Sequence, residues 1–498
     1  MHAIKIAVLL LILLTVSGCG QIASPGDLLH APNLAGEEQS LYRSVQPFLP
    51  SGYQLTTPDQ SDQGSAIRLA DLNGDGEKEL IVSYKKPDID YEVNVLILSR
   101  QNGSWQKADL ITGSGTNLDY LGIKPLIHSS SAELLLGYEG GGYGLPKELY
   151  IYSFANQKAV ELLHRSYDQI AVGDLAGNGL NQIAIALPAA EPNDSPSQIE
   201  VLGEKSGKLA VLAERRTEGD VLNLQIERAS EQRIGLFAQV LGTKRSGYTV
   251  LLAWENGRLG NVLSLPQSIY DKRSSRQNLK LDEPDYNPDL AVTEQKWWID
   301  YPANNRDIDN DGITEVALPN PLPNTDEPTA QPQTWSDSYY RWDGNREMTF
   351  VEDRFWQWGY ELRIPDRWLG HYRIELPKAD DTTVSEVLFV YSPHEDPEGG
   401  SSALLLTLRQ LSMEEWNRLR PLLENQQNEY VVLGSTGPAA PGSSSEVTVA
   451  LLPDTDNNLT GAEAAEYEKL RLTADEVREM VGADTDEEEE ANHNVEKH

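Results

Sequence analysis

Tight turns at Asn102-Gly103, Asn156, Ser206-Gly207 and Asn256-Gly257 recur at spacings of 54, 50 and 50 residues. Asn-Gly supplies the positive φ angles of a two-residue hairpin turn. Each turn closes the same layout of apolar strand, variable loop, second strand, turn and third strand. The first unit places its strands at 79–84 and 93–98, the second at 133–136 and 149–154. The third has 182–187 and 199–202, and the fourth 234–240 and 248–254. A fifth, with 315–318 and 339–342 before Asp343-Gly344, comes 87 residues after the fourth turn. The 265–300 region between them reads as an insertion or a degenerate unit. A period near fifty with three or four strands per unit predicts propeller blades. One such sheet cannot bury both faces alone, and closing several into a ring removes the open edges. The expected fold is therefore mainly β: a β-propeller of five detectable units over 61–352, followed by a small α+β domain over 353–482.

Two of these units open on a sharper motif. Asp71-Leu72-Asn73-Gly74-Asp75-Gly76-Glu77-Lys78-Glu79 and Asp307-Ile308-Asp309-Asn310-Asp311-Gly312-Ile313-Thr314-Glu315 share the form D-x-[DN]-x-D-G-x-x-E. Hard oxygen donors at alternating positions suit Ca²⁺, which takes six to eight oxygens. Asp71, Asn73, Asp75 and Glu79, with the Glu77 carbonyl, make one candidate set; Asp307, Asp309, Asp311 and Glu315, with the Ile313 carbonyl, make the other. Glycine at position six lets position seven turn its carbonyl inward. A third loop, Asp174-Leu175-Ala176-Gly177-Asn178-Gly179-Leu180-Asn181-Gln182, keeps the shape but not the acids, and reads as a relic that holds no ion. Strand-flanked loops of this kind resemble the FG-GAP or VCBS repeats of integrin α-type propellers and bacterial surface proteins. The resemblance implies a calcium-braced propeller used for adhesion or scaffolding, and names no ligand.

The chain holds a single cysteine, Cys19, directly after an aliphatic run at 6–14 and the small residues Ser17-Gly18. A charged start, a short apolar core and small residues before a cut describe a signal peptide over 1–18. Val16-Ser17-Gly18-Cys19 resembles the bacterial lipobox. That implies cleavage before Cys19, acylation of its thiol, and a protein anchored by lipid outside a membrane, with 19–60 as tether. With Cys19 acylated no disulfide or cysteine nucleophile remains. Lys and Arg total 41 against 77 Asp and Glu, for a net charge of -36. Phosphate polymers would be repelled, so nucleic acid is excluded as a partner.

After residue 352 strands give way to helix cues. Ser412 with Glu415 makes a capping box, and Thr460 with Glu463 and Thr473 with Glu476 repeat its spacing. The acidic end at 483–498 is too charged to bury a core. No His-Glu-x-x-His, Gly-x-Ser-x-Gly or phosphate loop occurs, so no catalytic residue is assigned and the chain reads as a non-enzyme. Gly140-Gly141-Gly142-Tyr143-Gly144 reads as a wide loop and His394-Glu395-Asp396 as a polar one. Seven of ten tryptophans lie between 297 and 368, where core packing is favoured over sugar stacking. The leading function is a calcium-binding surface adhesion or scaffolding module with an unknown protein or glycan ligand. The alternative is a cell-wall glycan-binding protein or a polysaccharide-acting enzyme.

Overall fold

The computed structural model describes residues 36–60, 64–87, 89–140, 145–187, 197–242, 247–263, 279–281, 283–287, 304–320, 334–377, 385–393, 402–436, 445–454 and 457–481. Cys19, the 1–18 segment, Gly141, Tyr143, His394 and the 483–498 tail lie outside them. The chain is mainly β, in several antiparallel sheets. The first sheet contains Ile67–Ala70, Glu79–Lys85, Glu92–Gln101 and Ser104–Ser114, with Gln54–Leu55 added beside Glu79–Lys85. The second runs Asn117–Lys124, Glu133–Glu139, Lys147–Ala155, Lys158–Tyr167. The third runs Gln169–Gly173, Gln182–Leu187, Ser197–Lys205, Lys208–Thr217. The fourth runs Gly219–Arg228, Ile234–Gly242, Gly247–Glu255, Arg258–Asn261. The fifth pairs Val316–Asn320, Thr334–Trp342 and Glu347–Gln357.

The turns explain the meander. Asn102, Asn156, Ser206 and Asn256 all take φ between 50° and 56°, and each following residue is also left-handed. That twist matches the flanking strands. The fifth unit departs from the expectation. Only Gly344 has positive φ there, and Asp343 N–H donates to the Glu347 carbonyl across a longer loop. A second regularity was not visible in the sequence. Four sheets carry a bulge at the same place, at Ile97/Leu98, Ile151/Tyr152, Val201/Leu202 and Tyr339/Tyr340. The extra residue lies opposite, on the following strand, at Ala108, Leu162, Leu212 and Val351, where it bends that strand and strengthens its twist.

Each sheet buries one face against the next. Ile81, Val93, Val95 and Ile97 of the first meet Leu118, Leu134 and Leu136 of the second. Leu135 and Ile151 then meet Ile183 and Ile185; Ala184 and Val201 meet Leu236 and Ala238; Phe237 and Leu251 meet Val316 and Trp342. The second strands are therefore buried on both faces, which is why 79–84, 133–138 and 182–186 are near-continuous apolar runs. The outer face of the first sheet is covered by helix α1, Gly36–Val45, with Val45 fully buried against Leu80, Val82 and Leu98. Residues 36–60 are thus packed rather than a tether; their polar composition hid Leu41, Val45, Phe48 and Leu49. Among the described residues, no core joins the fifth sheet to the first.

Glu347–Gln357 turns at Trp358-Gly359 into Tyr360–Arg363, carrying Phe355 and Leu362 into the C-terminal core. There a five-stranded sheet, ordered Tyr372–Glu375, Ser385–Tyr391, Ala403–Ser412, Glu446–Leu451, Tyr430–Thr436, packs with α2 (Met413–Gln426), α3 (Gly461–Leu470) and α4 (Ala474–Val481). The capping boxes at Ser412 and Thr473 form, and the one expected at Thr460 does not. Trp342 and Trp368 are buried core residues, as packing duty requires.

Candidate functional site

The loops that lead into the second strands lie side by side. A Cβ on Gly74 would come within 2.5 Å of the Ser130 carbonyl, so the first loop abuts the second. Asn181 N–H donates to the Pro125 carbonyl at 2.9 Å, and Thr314 N–H donates to the Arg228 carbonyl at 2.8 Å. The same scaffold recurs in three of them. The position-one carboxylate accepts loop N–H groups: Asp71 from Gly74 and Gly76, Asp174 from Asn178 and Gly179, Asp307 from Asp311 and Gly312. Position six is left-handed in each, and so is position four, held by Gly74, Gly177 and Asn310. The requirement at position four was legible in the Gly, Gly, Asn choice and was missed.

Position nine is a buried staple. Glu79 accepts Leu72 N–H at 2.9 Å, Glu315 accepts Ile308 N–H at 3.0 Å, and Gln182 accepts Ala176 N–H at 2.8 Å. Glu133 does the same for Leu126 N–H at 2.7 Å, in a loop without the acidic motif. Burial pushes the Glu79, Glu133 and Glu315 carboxyls above their ordinary range. Asp75 and Asp71 push Glu79 further up, while the Ile308 N–H and Arg341 pull Glu315 back.

The loops differ at their centres. In the first, Asn73 Nδ2 donates to Asp75 Oδ2 at 2.8 Å and Glu79 Oε1 at 3.4 Å. In the third, Gln182 Nε2 donates to the Leu180 carbonyl at 2.8 Å, the position-seven oxygen. In the fifth, the Arg341 guanidinium reaches Asp309 at 2.7 Å, Asp311 at 2.8 Å and Glu315 at 2.9 Å. Among the described residues, Asp307, Asp309 and Glu315 are the one group of three acids whose oxygens all approach within 4.8 Å. Two of them, Asp309 and Glu315, already bond the Arg341 guanidinium, while the Asp307 carboxylate accepts loop N–H groups. The donors Asp71, Asn73, Asp75 and Glu79, with the Glu77 carbonyl, fit a hard cation by type, and the Glu77 N–H is held by Asp75 at 2.7 Å. Of the second expected set, Asp307, Asp309, Asp311, Ile313 and Glu315, three acids lie close enough to share a metal ion, and Arg341 bonds three of its carboxylates.

A cleft of about 320 Å³ opens between the fourth and fifth sheets. Three arginines and two glutamates, Glu255 and Glu283, line it. Arg233 lies 5.1 Å over the Trp342 ring, Arg258 lies 5.0 Å over the Tyr286 ring, and Arg346 pairs with Glu283. The Tyr286 ring rests on Gly260, where a Cβ would come within 2.4 Å of it, and its hydroxyl donates to Glu255. Burial first, then the Glu255 carboxylate, raises the Tyr286 phenol above its ordinary value. At neutral pH it is therefore a hydrogen-bond donor and not a base. The segment carrying it is pinned by paired Asn261 and Asp285 backbone bonds and by buried Arg215 on Asp285 at 2.9 Å. The cleft offers guanidinium groups, ring faces and hydrogen-bond acceptors at one place, a set suited to binding a polar, negatively charged ligand. Sequence reading missed it because its parts lie between residues 233 and 346.

No protein-family model matches the chain, and no curated protein matches it. Solved structures do. A rhamnogalacturonan lyase (PL11) of Bacillus licheniformis shares 13% identity over 38% of this chain and 42% of its own, with a TM-score of 0.24. The chain thus spans about two fifths of that enzyme. An exotype rhamnogalacturonan lyase, YesX, shares 10% over 63% of this chain and 71% of its own, with a TM-score of 0.23. A tail fibre of Staphylococcus aureus phage P68 shares 9% over 76% and 97%, with a TM-score of 0.13. Against the expectation of a non-enzyme, two of the structures the chain is similar to are rhamnogalacturonan lyases. Likeness this slight carries no activity onto the chain.

Proposed function

We propose that this chain is a lipid-anchored, extracytoplasmic β-propeller protein that recognises an anionic polysaccharide in its arginine-lined cleft. The observation that carries the reading is local charge. On a chain of net charge -36, three arginines, Arg233, Arg258 and Arg346, outnumber two glutamates, Glu255 and Glu283, in one cleft beside two aromatic rings. Guanidinium groups pair with carboxylates in a planar, directional way, and rings pack on the apolar faces of sugars. Acylation at Cys19 would hold the cleft near the cell surface. One Ca²⁺ at Asp71, Asn73, Asp75 and Glu79 would brace the first sheet where it meets the second.

Calorimetric titration of the Cys19→Ser protein with rhamnogalacturonan, polygalacturonate and an uncharged glucan tests the reading. The uronate polymers should bind and the glucan should not. Arg258→Ala with Arg346→Ala should weaken uronate binding at least tenfold, a loss of about 1.4 kcal/mol. New reducing ends measured in the same samples report cleavage alongside binding. Equal affinity for the charged and uncharged polymers would overturn the reading.

A further inference from the structure

We propose that Arg341 is the resident cation of the fifth acidic loop, locking it without metal over a divalent-cation site that is latent in this chain. Strand register is the basis. Residue ten of each loop pairs with a fixed partner on the next strand: Leu80 with Leu98, Leu134 with Tyr152, Ile183 with Leu202, Val316 with Tyr340. The residue after each partner is Ser99, Ser153, Gly203 and Arg341. This position faces the staple: a Cβ on Gly203 would come within 3.1 Å of Gln182 Cγ. Three units keep it small, and the fifth places a long guanidinium there.

The charges follow the same logic. The fifth loop packs Asp307, Asp309, Asp311 and Glu315 into nine residues, and Glu315 is fully buried. Four carboxylates that close repel unless a cation stands among them. Arg341 bonds three of them, and its charge is permanent at any ordinary pH. The first loop has no such arginine, and its acids are not drawn into a comparable cluster. The third loop has lost two acids and fills its centre with the Gln182 amide. Each loop therefore matches its centre to its charge.

The test is made in an Asp75→Ala background, so that the result does not depend on an ion in the first loop. With Arg341 intact, calcium titration should find no site in the fifth loop and calcium should not move the melting curve. Arg341→Ser, which restores the residue type of the first unit, should create one calcium site per chain, removed again by Asp311→Ala. Arg341→Gln keeps most of the stem without the charge and should gain the same site, which guards against a misfolded serine variant. Arg341→Lys keeps a cation and should gain none. A calcium site that Asp311→Ala abolishes while Arg341 is present would overturn the proposal. So would folded serine and glutamine variants, judged by circular dichroism, that bind no calcium.

Discussion

Glu133 shows what a position-nine carboxylate does when no ion chemistry surrounds it. It is buried at the head of its strand and accepts the Leu126 N–H, yet Pro125, Ile127 and Ser129 bring no acid to the loop. Burial raises its pKa above the ordinary 4.5, against the pull of backbone N–H groups. The folded state therefore holds the proton more tightly than the unfolded one. That contribution is fully present below pH 4.5 and is lost as pH rises through the raised value. Glu133→Gln keeps an acceptor for Leu126, in the arrangement Gln182 already uses, and removes the charge. Melting curves in a pH series should show the variant at least as stable as the parent at neutrality, with a flatter dependence above pH 4.5. Glu133→Ala should instead cost about 1–3 kcal/mol, because the Leu126 N–H is left buried and unpaired. A glutamine variant as unstable as the alanine one would mean that the charge, not the acceptor, holds the loop.

Three Ser/Thr-x-x-Glu cues look alike in sequence and act differently as helix starts. At Ser412 the hydroxyl accepts the Glu415 N–H and Glu415 returns a bond to the Ser412 N–H. Thr473 and Glu476 do likewise. Thr460 is followed by Gly461 with φ of 61°, which turns the chain so that its hydroxyl caps nothing. Ser412→Ala should therefore cost about 1 kcal/mol and Thr460→Ala close to nothing, read from chemical denaturation of the full chain. Equal losses would show that the two starts do not differ. The contrast marks how far elements were legible. Turns such as Asn102-Gly103 and runs such as 79–84 are local, so the repeat could be read directly. The fifth turn, the position of α1 and the Arg341 contact depend on neighbours. Arg341 lies 26 residues from Glu315 and meets it only through the strand register that pairs Val316 with Tyr340. The acidic residues of the candidate site were visible; their counter-ion was not.

Across the whole molecule, the overall charge and the cleft oppose each other. A chain of net charge -36 repels a polyanion at long range, while Arg258 and Arg346 attract it at contact. Salt separates the two because screening depends on distance. The Debye length falls from about 30 Å at 0.01 M to about 8 Å at 0.15 M. Over that range the repulsion felt during approach is largely screened, whereas an ion pair inside a cleft is screened less. The association rate with polygalacturonate should therefore rise with salt, opposite to the behaviour of a basic sugar-binding surface, where steering is lost. Dissociation should quicken only modestly. Arg258→Ala with Arg346→Ala should raise the dissociation rate and leave the salt dependence of association in place, since removing two cations makes the chain more negative. Surface-immobilised polymer and stopped flow give both rates. An association rate that falls steadily from about 0.01 M to about 0.15 M salt would place attraction, not repulsion, at long range, and the polymer would then be docking somewhere other than this cleft.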